Sequence, residues 1–588
     1  MLSGPVLGAL VRLKSIQSVN LSSNFCTGNF TDFGVFPSLI VFNISNNLFT
    51  GEFSSKVCNL SRSIRVLDFS SNHFFFGALE GLETCSTSVQ HFHADFNSLS
   101  GQLPDSLYLF SGSFPNVFGN LTQLEQLVAN SNSFSGPLPS TLELCTKLQV
   151  LDFQNNTLSG AIDLNFAGLP NLCTLDLASN RFSSPLPESL SSCRELKILS
   201  LAKNNLTGQI PASYANLTSL IFLSLSNNSL VNLSGGLSVL KHCRNLTTLI
   251  LTKNFHGEES PKNVSGFESL MLFALGNCGL NGQIPNWLFN CPKLQVLDLS
   301  WNHLDGSIPS QIGQMENLFY LDLSNNSLTG GIPKGLTELK SLMSANSYSS
   351  TLNTSTGIPL FVKRNQSASG LQYNQASSFP PSVLLSNNKL NGSIWPEIGR
   401  LKQLYVLDLS RNDITGPIPN SISNMTNLET LDLSYNDLHG SIPSSFNQLT
   451  FLSKFSVANN HLEGAIPTGG QFLSFPSSSF EGNPGLCGKI ISPCINNNMG
   501  IRTSSPPIAH KKIGWSSILG ITISIGVGIA LILTVLLLRI SRRDAGIRTE
   551  DLDEEISRPP RLSDAFGPPK LVLFKNADCK DLTIVDLL

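Results

Sequence analysis

The run Ile358-Pro359-Leu360-Phe361-Val362-Lys363-Arg364 holds the most suggestive chemistry in the chain: a β-branched and aromatic stretch closed by two cations. Its composition predicts a short strand. Other reactive constellations do not emerge. The histidines are scattered, and no His, Cys or carboxylate spacing matches a metal site, so no cofactor is expected. Cys145, Cys173, Cys193, Cys243, Cys278 and Cys291 each stand alone in sequence and read as small buried hydrophobes. Cys487 and Cys494 lie close together in a Gly/Pro/Ser-rich segment and read as a disulfide, if the compartment is oxidising. A net charge of -3 with only 13% charged residues argues against a nucleic-acid partner, which would favour a clearly basic domain.

The elements that position these residues repeat. An asparagine follows a leucine-rich phrase at Asn132, Asn156, Asn180, Asn204 and Asn228, always 24 residues on. The same step recurs at Asn302 and Asn326, and again at Asn388, Asn412, Asn436 and Asn460. The phrase LxxLxLxxNxLxGxIP is that of a leucine-rich repeat of the plant extracellular type, in about seventeen copies. Its leucines point into a coil, and the residues between them point out from a short parallel strand. The asparagine can satisfy backbone groups between turns, and Gly and Pro break the chain onto the convex side. No coil buries its own apolar side, so stacking supplies the core and the outward strand residues form a concave binding face.

The expected fold is therefore an α/β right-handed leucine-rich repeat solenoid with an island insertion, a single transmembrane helix and a short cytosolic tail. Repeats are assigned to 1–344 and 382–466, the island to 345–381, and a C-terminal cap to 467–500. A linker follows at 501–512, the membrane span at 513–538 and the tail at 539–588. The step from Asn326 to Asn388 is 62 residues, one repeat plus about 38 extra, which defines the island. The step from Asn97 to Asn132 is 35 residues, and SGSFP within it looks like the turn of a repeat whose strand half has been lost. Leu2-Ser3-Gly4 already falls in mid-repeat with no leader before it, which suggests an N-terminally incomplete product.

Residues 513–538 contain no charge and span roughly 39 Å as a helix, enough to cross a bilayer. Arg539, Arg542 and Arg543 follow, although Lys511 and Lys512 sit on the other flank. Seventeen Asn-x-Ser/Thr sequons, all before residue 500, place the repeats outside the cell at the plasma membrane. Glycosylation candidates are Asn205, Asn216, Asn245, Asn263, Asn353, Asn365, Asn391 and Asn424.

The island phrase GIPLFVKRNQSASGLQYNQ, with FPPSVLLSNNKLNGSIWPEIG after it, closely resembles the phytosulfokine receptors among plant leucine-rich repeat receptor kinases. HCRNLTTLILTKNFHGEE and FLSKFSVANN carry the same resemblance. It implies recognition of a sulfated tyrosine pentapeptide hormone paired with the island strand, and a co-receptor kinase of the somatic-embryogenesis type. By position it assigns Phe361 and Lys363 as island contacts. Ser224, Ser226, Thr252 and Asp298 become outward strand contacts. Where the family has an arginine and an asparagine, this chain has Gln154 and Ser200, which should weaken the hold on sulfate. The resemblance also implies a kinase, yet of its motifs only Asp32-Phe33-Gly34 appears, inside a repeat. The chain is accordingly expected to bind peptide without transferring phosphate or signalling by itself. The alternative is a receptor-like protein that recognises pathogen- or wall-derived proteins, although a basic island strand favours the peptide.

Overall fold

The computed structural model describes residues 2–5, 10, 15–29, 35–52, 57, 59–75, 87–102, 118–344, 360–362, 371–373 and 379–494. Seventeen three-residue strands form one parallel ladder, from Ser18–Asn20 at one edge to Lys454–Ser456 at the other. Each is the LxL core of a repeat, too short to stand alone and held by the coil before and after it. The middle residue of each strand, most often leucine, turns inward. Leu175, Leu199, Leu223 and Leu249 pair in register across four successive strands and are fully buried. On the opposite side of each coil a Pro precedes a 3-10 helix, as at Pro187 before Glu188–Ser192 and Pro309 before Ser310–Gln314. The ring fixes φ at the value the helix entry needs and removes an N–H that would find no partner there.

The repeat asparagines tie coil to coil. Asn180 donates from Nδ2 to the carbonyls of Phe153, Leu177 and Ala178, while its Oδ1 accepts from the Leu158 N–H. This arrangement recurs along the ladder and answers the polar groups that a tight turn would otherwise bury. The residue just before each of these asparagines has φ near +55°, as at Lys203, Asn227, Lys253 and Tyr435.

One coil carries a two-turn α-helix in place of its 3-10 helix. Leu233–Leu240 is an α-helix, and the Glu258 carboxylate accepts the backbone N–H groups of Asn232 and Leu233 at 2.6 and 2.7 Å. A negative charge at a helix start is favourable, and here it also satisfies two donors. Glu258→Ala should therefore lower stability by about 2 kcal/mol, with Glu258→Gln intermediate, in denaturant melts followed by circular dichroism.

The ladder runs straight through both irregular spacings. His91–His93 pairs directly with Gln126–Val128, so the extra residues leave from a single coil, and 103–117 lie outside the described residues. Tyr320–Asp322 pairs directly with Ser382–Leu384, which makes the island a side excursion from one coil. Within the island, Leu360–Val362 and Leu371–Tyr373 form an antiparallel pair with Phe361 opposite Gln372. Leu360–Val362 lies within the expected strand, and its partner went unrecognised because LQY is too brief to show alternation.

At the C-terminal end Phe455 packs against Phe472, Phe475 and Phe480, with centroids 5.1 to 5.8 Å apart. Gly485–Cys487 then adds to His461–Ala465, and Cys487 is bonded to Cys494. These rings cover the apolar side of the last coil, which stacking cannot reach. Cys145, Cys193, Cys243, Cys278 and Cys291 are free and buried, and burial pushes each thiol up, Cys278 to about 12. Cys173 corrects the expectation. It is buried but disulfide-bonded, and its partner lies outside the described residues. Standing alone in its repeat does not decide pairing, because pairing depends on which thiol approaches in space. No helix among the described residues is long and apolar enough to cross a membrane, and the expected span at 513–538 lies outside them.

Candidate functional site on the concave face

Alternation along each strand sends the two residues flanking the inward leucine to the concave side. The first of these rows is apolar through the middle of the solenoid: Ile198, Phe222, Leu272, Val296 and Tyr320, broken by Thr248. Beside it the second row changes character along the ladder. Asp152 and Asp176 are neighbours in register, followed by Ser200, Ser224, Ile250 and Ala274, and then Asp298 and Asp322. Four coils without a carboxylate thus lie between two pairs of aspartates.

The aspartates on either side hold their own turns together. Ser300 donates both its N–H and its hydroxyl to Asp298, at 2.9 and 2.6 Å, and Ser324 does the same for Asp322 at 3.0 and 2.6 Å. Burial raises the carboxyl of Asp298 above its usual range. It takes Asp322 to about 7, aided by the neighbouring Asp298, and Asp176 to about 8, aided by Asp152. These groups resist ionising because water is excluded and a like group sits next door.

Several of the residues singled out from sequence are brought together. Ser200 and Ser224 face each other across adjacent strands, and the Ser224 hydroxyl lies 3.4 Å from that of Ser226. Thr252 is one coil further along, where its carbonyl accepts the Asn227 N–H at 2.7 Å. Ser200 and Ser224 are 2% and 7% exposed, so these hydroxyls are covered rather than solvated. The Ser200 side chain lies near the Asp176 carboxylate and partly offsets the effect of its burial. Asp298 stands two strands beyond Ile250, at the far border of the carboxylate-free stretch. Gln154 is half-buried two residues after Asp152, and its N–H donates to that carboxylate at 2.9 Å. It lies two ladder steps from the serines, on the opposite border.

Phe361 belongs to the island strand, while Lys363 lies outside the described residues, as does Asp32-Phe33-Gly34. Among the sequons, Asn205, Asn216, Asn245, Asn263, Asn391 and Asn424 are exposed, and Asn353 and Asn365 lie outside the described residues.

Sequence reasoning passed over the apolar row and the two lysines, Lys203 and Lys253. The row was legible as the residue before the inward leucine in each LxxLxL. The lysines occupy the variable place before the repeat asparagine, which reads as filler until the turns are stacked. A second titratable cluster was also missed. His91 and His93 stack at 6.3 Å, and His93 Nε2 lies 3.1 Å from Gln126 Oε1. Burial, followed by the nearby His93, pushes His91 down to about 4. No cluster of three or more metal-ligating side chains occurs among the described residues.

Residues 146–206, 170–230 and 402–462 match the leucine rich repeat family, as do the single repeats at 293–315 and 317–339. Phytosulfokine receptor 2 of Arabidopsis thaliana is 65% identical over 364 residues, which are 61% of this chain and 35% of that protein. Phytosulfokine receptor 1 of the same plant is 55% identical over an equal length, again 61% of this chain and 35% of the relative. The chain thus spans about a third of the length of these curated relatives. Among solved structures, the leucine-rich repeat ectodomain of the membrane receptor kinase GASSHO1/SCHENGEN3 from Arabidopsis thaliana, in complex with CASPARIAN STRIP INTEGRITY FACTOR 2, is 26% identical. It superposes with a TM-score of 0.52 over 84% of this chain and 61% of that one. Over those 364 residues the chain is a leucine-rich repeat protein similar to the phytosulfokine receptors of Arabidopsis thaliana.

Proposed function

We propose that the repeats form the extracellular, peptide-binding part of a plasma-membrane receptor whose ligand is a sulfated tyrosine pentapeptide of the phytosulfokine kind. The observation that carries this reading is the pair of concave rows. The first row is apolar apart from Thr248, the second carries Ser200, Ser224, Ile250 and Ala274, and over those four coils no aspartate of that row repels an anion. An extended peptide would lie along the face and pair with the island strand Leu360–Val362, with Phe361 and Lys363 as its contacts. Ser226 and Thr252, which are half-buried, would donate to it, and Asp298 and Gln154 would border it.

In this reading residues 513–538 anchor the chain in the membrane, the exposed sequons carry glycans, and a co-receptor kinase of the somatic-embryogenesis type joins the bound complex. Residues 1–588 hold none of the kinase motifs beyond an isolated Asp-Phe-Gly, so phosphoryl transfer is no part of the activity proposed for them.

Calorimetry of the full chain with a disulfated pentapeptide and its unsulfated counterpart tests the reading. The sulfated peptide should bind about tenfold tighter or more, and Lys363→Ala should reduce that advantage, because charge-assisted hydrogen bonds exceed neutral ones. Equal affinity for both peptides would overturn it.

A further inference from the structure

Asn227-Asn228-Ser229 is a sequon made out of the repeat itself. Asn228 is the repeat asparagine and is buried. Its Nδ2 donates to the carbonyls of Leu201, Leu225 and Ser226, and its Oδ1 accepts the Leu206 N–H. Asn227 stands just before it and is exposed, at the turn that carries the chain off the concave face after Ser224. Its φ of +54° is a conformation that asparagine adopts more readily than most residues. The Asn227 N–H donates to the Thr252 carbonyl at 2.7 Å, which fixes the backbone while the side chain is left to solvent. Ser229, whose hydroxyl completes the sequon, is exposed as well.

The amide of Asn227 differs from those of other asparagines at the same place in the repeat. Asn46 and Asn155 each donate from Nδ2 to a serine of the coil before, Ser23 and Ser131, at 3.3 Å. Asn387 donates to Asn325 at 2.8 Å, and Asn325 to Ser324 at 3.3 Å. On either side of Asn227 the place is held by Lys203 and Lys253, and an ammonium offers donors but no acceptor. Asn227 therefore meets no acceptor at its own position in the coil before or after. Asn232, the next sequon, is the opposite case. It is exposed, yet its Oδ1 accepts the Gly235 N–H at 3.0 Å as the cap of helix Leu233–Leu240, and its Nδ2 donates to Gln209 Oε1 at 2.7 Å. That nitrogen lies so close to the first helical turn that a Cβ added at Gly235 would collide with it. A sugar on Asn232 would displace the cap.

We propose that Asn227 carries an N-linked oligosaccharide that screens this rim of the concave face against protein-sized partners, while Asn232 stays bare in the folded chain. The assignment rests on the extracellular reading above. The donor is an oligosaccharide linked to a lipid pyrophosphate. A bond forms from Asn227 Nδ2 to the first sugar carbon, the bond from that carbon to the pyrophosphate oxygen breaks, the lipid pyrophosphate leaves, and the amide gives up one proton. The sugar stands in the second of the four coils that lack a carboxylate on the concave row, on the turn side of the strand. A peptide lying along the strands stays inside the turn and does not cross it. A folded protein that reaches the strands over this rim meets the glycan first.

The full chain, expressed through a secretory pathway, is digested and treated with a peptide N-glycosidase in heavy-oxygen water, which leaves a labelled aspartate wherever a glycan stood. Mass spectrometry should find the label at Asn227 and at the exposed Asn205 and Asn216, and not at Asn232. Label at Asn205 and Asn216 without Asn227, or label at Asn232, overturns the assignment and leaves the extracellular reading standing. A folded chain with no label at any of these positions overturns both. Screening is read on Ala202→Cys, half-buried in the coil before, with a small maleimide and with one carrying a long polyethylene glycol. The free cysteines among the described residues are buried, so rates are compared with those of the parent chain. Adding Asn227→Gln should speed the polymer reagent severalfold and leave the small one unchanged. Ser229→Ala removes the sequon but keeps the Asn227 side chain, and it should do the same even if glutamine is strained at positive φ. Equal polymer rates with and without the glycan overturn the screening role.

Discussion

Asn302→Ala should be the most disruptive single substitution in the middle of the solenoid. Asn302 is 3% exposed, and its Nδ2 donates to the carbonyls of Leu275, Leu299 and Ser300 at 3.0, 2.9 and 3.3 Å. Its Oδ1 accepts two N–H groups, from Cys278 at 3.1 Å and from Leu280 at 3.0 Å. The bond from the Cys278 N–H is the additional one, made where Cys278 stands in the asparagine's place of the preceding coil and its thiol cannot reproduce the amide's full set of bonds. Alanine would orphan two buried donors and remove a bond from three carbonyls. Each unsatisfied buried group costs about 1–3 kcal/mol, so a loss of about 4 kcal/mol is expected. Because coils are stabilised by their neighbours, the loss should appear as a local break. Hydrogen exchange should rise first around Cys278–Leu280, and urea unfolding should lose cooperativity. Asn155→Ala, at an exposed turn position with φ +55°, should cost only about 1 kcal/mol. Equal effects at the two sites would show that the asparagine ladder does not carry the coil stacking.

The second large effect is a dependence of stability on pH. In the unfolded chain an aspartate releases its proton near pH 4. In the folded chain burial keeps the proton on Asp322 up to about pH 7, and Asp298, next to it in register, is shifted in the same direction. Across that interval the folded state binds more protons than the unfolded one, so stability falls as pH rises. The contribution is fullest below about pH 4 and is lost by about pH 7. Asp176, raised to about 8, carries the same trend slightly higher. His91, pushed down to about 4, acts oppositely, since its contribution is lost as pH falls from about 6.5 towards 4. Comparison with Asp322→Asn separates the two. The amide keeps the acceptor for the Ser324 N–H and hydroxyl but cannot ionise. Between pH 5 and 7.5 the wild-type chain should lose on the order of 2–3 kcal/mol more than the variant. Identical pH profiles in denaturant titrations would refute the assignment.

Much of this molecule follows from the repeat alone. The LxxLxLxxN phrase dictates which leucine turns inward, which asparagine bridges the coils and where proline starts the outer helix, because each is decided within one turn and then copied. The island was legible as a break in that period, and its strand as the apolar run ending at Val362. Stacking decided what the period cannot express. Cys173 is joined to another part of the chain although nothing in its repeat distinguishes it. Leu371–Tyr373 gains a strand only by pairing with Leu360–Val362. The carboxylate-free stretch between Asp176 and Asp298 exists only when residues 24 or more apart are laid side by side in register. Lys203 and Lys253 likewise come near each other only because two coils separate them in space rather than fifty residues of chain. Periodicity specifies the inside of each coil, whereas the concave face is a property of neighbours, and neighbours are set by the tertiary ladder.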